Sequence, residues 1–400
     1  MPGLSRLWLN ASVTATNHGC SILPSDRPQL PPHEAEHFTS AAYFRLAGSF
    51  ASPDTEPWLP QILEPHTVAD HLVGAGHHAS VQAAVNAAIA SGRRERQTIH
   101  VLPGEYRGAV YIPAGTPPLS IIGLGQQRGE VRLCLDLVAT VSIGEYRARV
   151  NADGRFQPGD PAWAMYQSQA DRPEGDALGT FGTATVWSQA TDLVIANLSL
   201  CNDFPPAPEA RQAQAVALRV DGDRTQLLGL DLDSLHDTLF LNARERIVRV
   251  LARDCRIAGD VDFLFGAASA VFEQCEFLMR SARRPTGIVF APSTPASHPW
   301  GFLAQDCRFR CDAGVTPDGA SLGRAWDEGA REGYRPGITA NGQLLIRESF
   351  IDAHFRREAP WAPAATSARP FRGCDTLAQV DADPHCNRLW EYANHGPGAA

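Results

Sequence analysis

Three polar side chains recur along this chain at a nearly constant interval: Gln214 in "QAVAL", Asp237 in "HDTLF" and Asp262 in "GDVDFLFG" stand 23 and then 25 residues apart. Asp262 lies between Val261 and Phe263, with Leu264 and Phe265 following. A carboxylate taken out of water there needs a partner or a shifted pKa. Two carboxylates brought together cannot easily both be charged, so one pKa rises while the other stays low. One then serves as an acid and the other as a nucleophile or base. A cation selects the ionised partner, and "LGRAW" (322–326) supplies Arg324, whose planar fork suits bidentate contact with a carboxylate. Trp326 adds a flat aromatic surface beside it. A single Asp in a turn is ordinarily a turn former, and a single Arg is ordinarily solvated. Three polar residues at one spacing, with an Arg-aromatic pair downstream, favour the functional reading.

A scaffold that positions residues this way must itself repeat. The segments "RDCRI" (253–257), "EQCEF" (273–277), "QDCRF" (305–309) and "RESFI" (347–351) share a small Cys or Ser followed by polar-apolar alternation, and "VIANLSL" (194–200) and "LLGLDLD" (227–233) extend the pattern upstream. Short strands at roughly 20 to 40 residue intervals are the signature of a stacked solenoid, and here they suit a parallel β-helix. Neighbouring strands about 4.8 Å apart would then stack Gln214, Asp237 and Asp262 in one row. The recurring cysteines read as an interior stack of small apolar groups rather than as disulfides. "SVQAAVNAAIASG" (80–92) puts Val81, Ala84, Val85, Ala88 and Ile89 on one helical face with Gly92 at the C-terminal cap, a helix suited to plugging the solenoid's open end. Residues 1–75 read as an irregular arm preceding a β-helix domain over 76–400. "HH" at 77–78 reads as solvated loop, and 151–179 as a loop excursion whose Trp163 and Tyr166 pack on the body or edge a cleft.

The chain has 400 residues, 44% of them apolar and 20% charged, enough for a sizeable core. Its net charge of −9 gives no electrostatic footprint for nucleic acid. Local arginines such as Arg280, Arg283 and Arg284 would have to meet any anionic partner. No apolar window is long enough for a transmembrane helix. "MPGLSRLWLNASVTATNHGC" lacks a clean apolar core and reads as a degenerate or truncated export signal. The nine cysteines show no paired CxxC spacing, so no metal is expected.

"QAVAL", "HDTL", "GDVDFLFG" and "LGRAW" occur in the order and at the separations of pectin methylesterases, and the chain resembles that family of carbohydrate esterases from about residue 70 onward. "PGEYRGAVYIP" (103–113), "LGTFGTATV" (178–186), "CNDF" (201–204), "FAPST" (290–294) and "NRLWEYANHGPGA" (387–399) are weaker matches. The N-terminal arm and "PAWAMYQSQ" look more like the bacterial outer-membrane lipoprotein branch, some members of which are called putative acyl-CoA thioester hydrolases. The resemblance implies an all-β fold, a right-handed single-stranded parallel β-helix with a short N-terminal capping helix. It also implies pectin or methylated oligogalacturonate as substrate, no cofactor, a monomer and an exported location.

The resemblance further implies roles, carried over by motif. Asp262 would be the nucleophile, Asp237 the acid and then base, Gln214 an oxyanion donor, and Arg324 the group holding Asp262 ionised. Phe265 and Trp326 would contact sugar rings, with Thr180 a further contact. Three positions depart from the family pattern. His236 stands where Gln usually precedes the acid-base Asp, Gly108 replaces a Glu, and Ala325 replaces a Pro. A neutral imidazole still donates one hydrogen bond, whereas an imidazolium would stabilise an oxyanion more strongly. Thioesterase or general esterase action and a silent carbohydrate-binding envelope protein are the competing readings; a glycosidase or lyase is weaker, since no further acid cluster or calcium-type turn supports it.

Overall fold

A computed structural model describes residues 25–60, 68–205 and 213–400. The possible export signal lies outside these. Parallel strands form three sheets of ten, eight and seven strands, each strand pairing with its counterpart one coil away. The chain is therefore a parallel β-helix, as its sequence repeat predicts.

The repeat has a backbone cause. At one corner between sheets, a single left-handed residue separates two strands: Asn197, Gly229, Asp254, Gln274, Asp306 and Glu348, with φ between 51° and 59°. Asn, Asp and Gly bear this conformation at least cost. The following residue points inward, and Leu198, Leu230, Cys255, Cys275, Cys307 and Ser349 are all buried there. Ile195, Leu227, Ala252, Phe272, Ala304 and Ile346 form another interior column in register. Burial on this scale supplies the main stabilisation of the coil stack.

Cys255, Cys275 and Cys307 are thus free and stacked inside, as expected. Two disulfides, Cys134–Cys201 and Cys374–Cys386, join cysteines outside that recurring column. Cys134 and Cys201 sit directly opposite one another on adjacent coils, with Cα atoms 4.7 Å apart, inside the range a disulfide spans. Their separation of 67 residues hides that proximity in the sequence.

Both ends are covered. The helix Val81–Ala90 is capped by Ser80, buries Val81, Ala84, Val85 and Ala88, and ends before Gly92, whose φ is 67°. Its buried Gln82 donates to the Tyr111 carbonyl and accepts from the Tyr111 N–H, satisfying backbone at the exposed edge of the first coil. At the other end the arm is more ordered than expected. It carries the helices Pro32–Ala35 and Ser40–Tyr43 and the hairpin Leu46–Ser49/Ser52–Thr55. Leu30 N–H bonds to the Glu391 carbonyl, and Arg27 forms a bidentate pair with buried Glu391. The arm thereby closes the edge of the last strand, a tertiary role its irregular composition does not reveal.

The excursion at 151–179 also contains a helix, Trp163–Ala170. Tyr166 is buried and stacks on Phe156 and Tyr146, so it packs on the body. His77 is exposed as expected, whereas His78 meets His71 at 3.3 Å between ring nitrogens.

Candidate active site

Asp262 belongs to the strand Val261–Gly266 and adopts a left-handed backbone, φ 48°. The register with the next coil slips between Val261 and Leu264, which face Ile288 and Phe290. Three steps on one strand thus oppose two on the other, a bulge of the kind that re-aims a side chain. The flanking glycines are required by close approach. A Cβ on Gly259 would meet the Phe263 Cβ at 2.2 Å, and one on Gly266 would meet the Leu241 carbonyl oxygen at 2.1 Å. The motif's other acid, Asp260, is fully buried and bidentate with Arg283, both contacts at 2.6 Å.

One coil earlier, His236 pairs with Val261 and Leu239 with Leu264, which sets Asp237 opposite Asp262. Asp237 is also left-handed, φ 68°. Gln214 pairs with His236 rather than with Asp237, so the expected straight row of three is corrected to a stagger of one residue. The intervening strand register, Leu218 with Leu239, differs by one from that pairing, and the irregularity between them produces the offset. Gln214 is half-buried, and its side-chain amide bonds to none of the described residues.

Arg324 follows the strand Ala320–Gly323 and reaches across to Asp262 with both arms of its fork, Nε to Oδ1 at 2.9 Å and Nη2 to Oδ2 at 2.5 Å. His236 Nε2 lies 3.4 Å from Asp237 Oδ1. One atom each from His236, Asp237 and Asp262 fall within 4.8 Å of one another. Both Asp262 oxygens are already committed to Arg324, so the group is poorly suited to a metal and well suited to moving a proton.

Burial raises the Asp237 pKa well above the usual carboxylate range, and the neighbouring Asp262 charge adds to this. Asp237 is the group held protonated. Burial lowers the His236 pKa to about 3, helped by Arg283, Arg284 and Arg324, so the imidazole is neutral. Its Nδ1 is buried without a hydrogen-bond partner among the described residues. A neutral ring beside the acid, not an imidazolium, is what the site contains.

Phe265 stacks on Phe240 at 4.5 Å, Phe240 stacks on Phe181 at 4.8 Å, and Trp326 lies edgewise to Phe265 at 5.8 Å. This aromatic run extends from the carboxylates to an open recess of about 590 Å³ lined by Thr180, Phe181, Arg219 and Arg244. Thr180 therefore adjoins the site through Phe181 rather than touching the carboxylate pair. Phe240, Phe181 and the Asp260–Arg283 pair escaped sequence reasoning. Phe240 precedes Phe265 by the same 25 residues that separate the two acids, a signal that was available. One of the expected surface cations is corrected, since Arg283 is buried on Asp260, whereas Arg280 is partly exposed and pairs with Asp233.

A carboxylate dyad, one member held by a bidentate arginine, is set on a β-helix beside an aromatic cleft, an arrangement suited to ester hydrolysis. The Pectinesterase family profile matches residues 167–332. Pectinesterase B of Pectobacterium parmentieri is 44% identical over 387 residues, covering 92% of this chain and 96% of that protein. The Escherichia coli protein named putative acyl-CoA thioester hydrolase YbhC is 34% identical, covering 99% of this chain and 97% of that one. The solved structure of rice weevil pectin methyl esterase superposes with a TM-score of 0.85 at 34% identity, covering 94% and 98% of the two chains. The chain belongs to the pectinesterase family.

Proposed function

We propose that this chain hydrolyses the methyl esters of polygalacturonate in pectin and releases methanol. The observation that carries the reading is the Asp262–Arg324 pair with Asp237, its pKa raised by burial, opposite it on the preceding coil.

In this reading an Asp262 oxygen attacks the ester carbonyl carbon. The Gln214 amide and an N–H of His236 donate to the oxygen that becomes negative. Collapse of the tetrahedral intermediate breaks the bond to the methoxy oxygen, which takes the Asp237 proton and leaves as methanol. The acyl-enzyme is an anhydride. Asp237, now ionised, removes one proton from water as the water attacks that carbonyl; collapse expels the Asp262 carboxylate and leaves galacturonic acid, which gives its proton to solvent. Arg324 holds the nucleophile in place through both steps. Phe265 and Trp326 position the sugar rings, and Thr180 contacts the polymer further along the recess.

The β-helix domain over 76–400 carries this chemistry with the arm as its edge cover, and the active unit is a monomer. Because pectin lies outside the cell, the working protein is exported. The test is to supply purified protein with methylated pectin and, separately, with acyl-CoA thioesters. Methanol from the first and no free thiol from the second supports the proposal; thiol release with inert pectin would replace it with the thioesterase reading.

A further inference from the structure

The last strand, Arg388–Tyr392, borders a second cavity of about 400 Å³ that shares no lining residue with the recess at Thr180. Its apolar walls come from parts of the chain far apart in sequence: Phe38 and Leu46 of the arm, Leu377 and Val380 of the helix Leu377–Ala382, and Trp390. Arg388 also lines it.

The guanidinium of Arg388 donates only to backbone carbonyls. Nε reaches Asn341 at 2.8 Å, Nη1 reaches His298 at 2.7 Å, and Nη2 is shared among Thr294, Pro295 and Asn341. Nη1 carries two hydrogens and meets one acceptor, so one N–H is unused. Among the described residues no carboxylate pairs with this cation. Asp381 borders the same cavity but forms no ion pair with it, and the ionisable neighbours that bear on Arg388 are the phenols of Tyr334 and Tyr43. Burial raises both phenols above their ordinary range, so they remain neutral. Burial also lowers the guanidinium to about 10, which leaves it cationic at neutral pH.

Arg388 is half-buried, and a cation that loses much of its water without gaining an anion is costly. A ligand that brings its own anion offsets that cost, and an apolar remainder gains by leaving water along Phe38, Leu377 and Val380. The volume lies within the range of small-molecule sites. We propose that this cavity binds an amphiphilic monocarboxylate, with its carboxylate on Arg388 and its aliphatic tail along the arm and the helix Leu377–Ala382. A free carboxylate has no ester bond to cleave, so the ligand is held and not hydrolysed. The site ties the arm to the last coil.

Titration calorimetry on the full chain with sodium octanoate, 1-octanol and sodium acetate tests this. The expected result is one octanoate per chain, bound at least tenfold more tightly than either control. Val380→Trp fills the cavity without touching Arg388 or the carboxylate pair. It should abolish octanoate binding while methanol release is unchanged, which separates this proposal from the catalytic one. In Arg388→Gln, if its circular dichroism is native, the preference for octanoate over octanol should fall to near unity. Absence of saturable octanoate binding, equal binding of octanol by the parent protein, or undiminished binding by Val380→Trp would overturn the proposal.

Discussion

Asp237 and Asp262 face one another from adjacent coils at the 25-residue offset that also pairs Leu239 with Leu264, and both have left-handed backbones, φ 68° and 48°. Asp is among the few residues that bear this conformation with an L side chain. The strained backbone and the shared register together aim two carboxylates into one space, and burial plus the charge of Asp262 then keeps Asp237 protonated.

That protonation makes Asp237 a stability liability as well as a proposed acid. Its folded pKa is raised above its unfolded one, near 3.9, so between the two values the folded state binds more protons. Stability therefore falls as pH rises through that window. Asp237→Asn removes the effect. The variant should lose at least about 100-fold in methanol release yet melt higher than the parent at pH 7, with the difference vanishing near pH 3.5. Calorimetric scans at the two pH values check it.

His236 acts in the opposite direction. With its pKa depressed to about 3, the unfolded chain binds the extra proton as pH falls below about 6.5, and stability is lost from there downward. His236→Gln keeps an N–H donor and removes the titration. Activity should stay within about tenfold of the parent, whereas His236→Ala should lose about 100-fold or more. The Gln variant should resist unfolding better at pH 4.5, measured by urea midpoints.

Removing Arg324 leaves Asp262 without its partner. A fully buried pair broken this way costs about 3–5 kcal/mol. The Arg324 side chain is 24% exposed, so Arg324→Met should cost roughly 2–3 kcal/mol after that discount for solvent. Arg324→Lys keeps the charge but not the fork, and its kcat should still fall at least about tenfold. Urea unfolding and initial rates read the two effects.

The aromatic run separates binding from chemistry. Trp326 is half-buried and free to meet a ring, so Trp326→Ala should raise KM about tenfold on pectin with a smaller change in kcat. Phe265 is 4% exposed and stacked on Phe240, so Phe265→Ala should instead cost about 3 kcal/mol of stability in addition to its effect on KM. Comparing the two variants by kinetics and by melting distinguishes a surface contact from a packed platform.

The parallel β-helix, the capping helix and the dyad were legible because each leaves a local trace: a recurring corner, a helical stripe, an acid in an apolar strand. What the sequence hid depends on distant pairing. Cys134 meets Cys201 across 67 residues, Arg283 is drawn inward by Asp260, and the arm's order comes from Glu391 at the far end of the chain. The stagger of Gln214 escaped because equal spacing predicts equal register only where no bulge intervenes. Phe240 was overlooked although its spacing from Phe265 matched that of the acids, since an aromatic in a strand ordinarily reads as core.

In the proposed mechanism Asp262, held by Arg324, makes the covalent bond and Asp237 carries the proton. Methanol release from methylated pectin by the parent protein and by natively folded Asp262→Ala tests it most directly. Steady release by the parent and a loss of about 1,000-fold or more in the variant are expected. An Asp262→Ala protein that keeps more than about a tenth of the parental rate would contradict it.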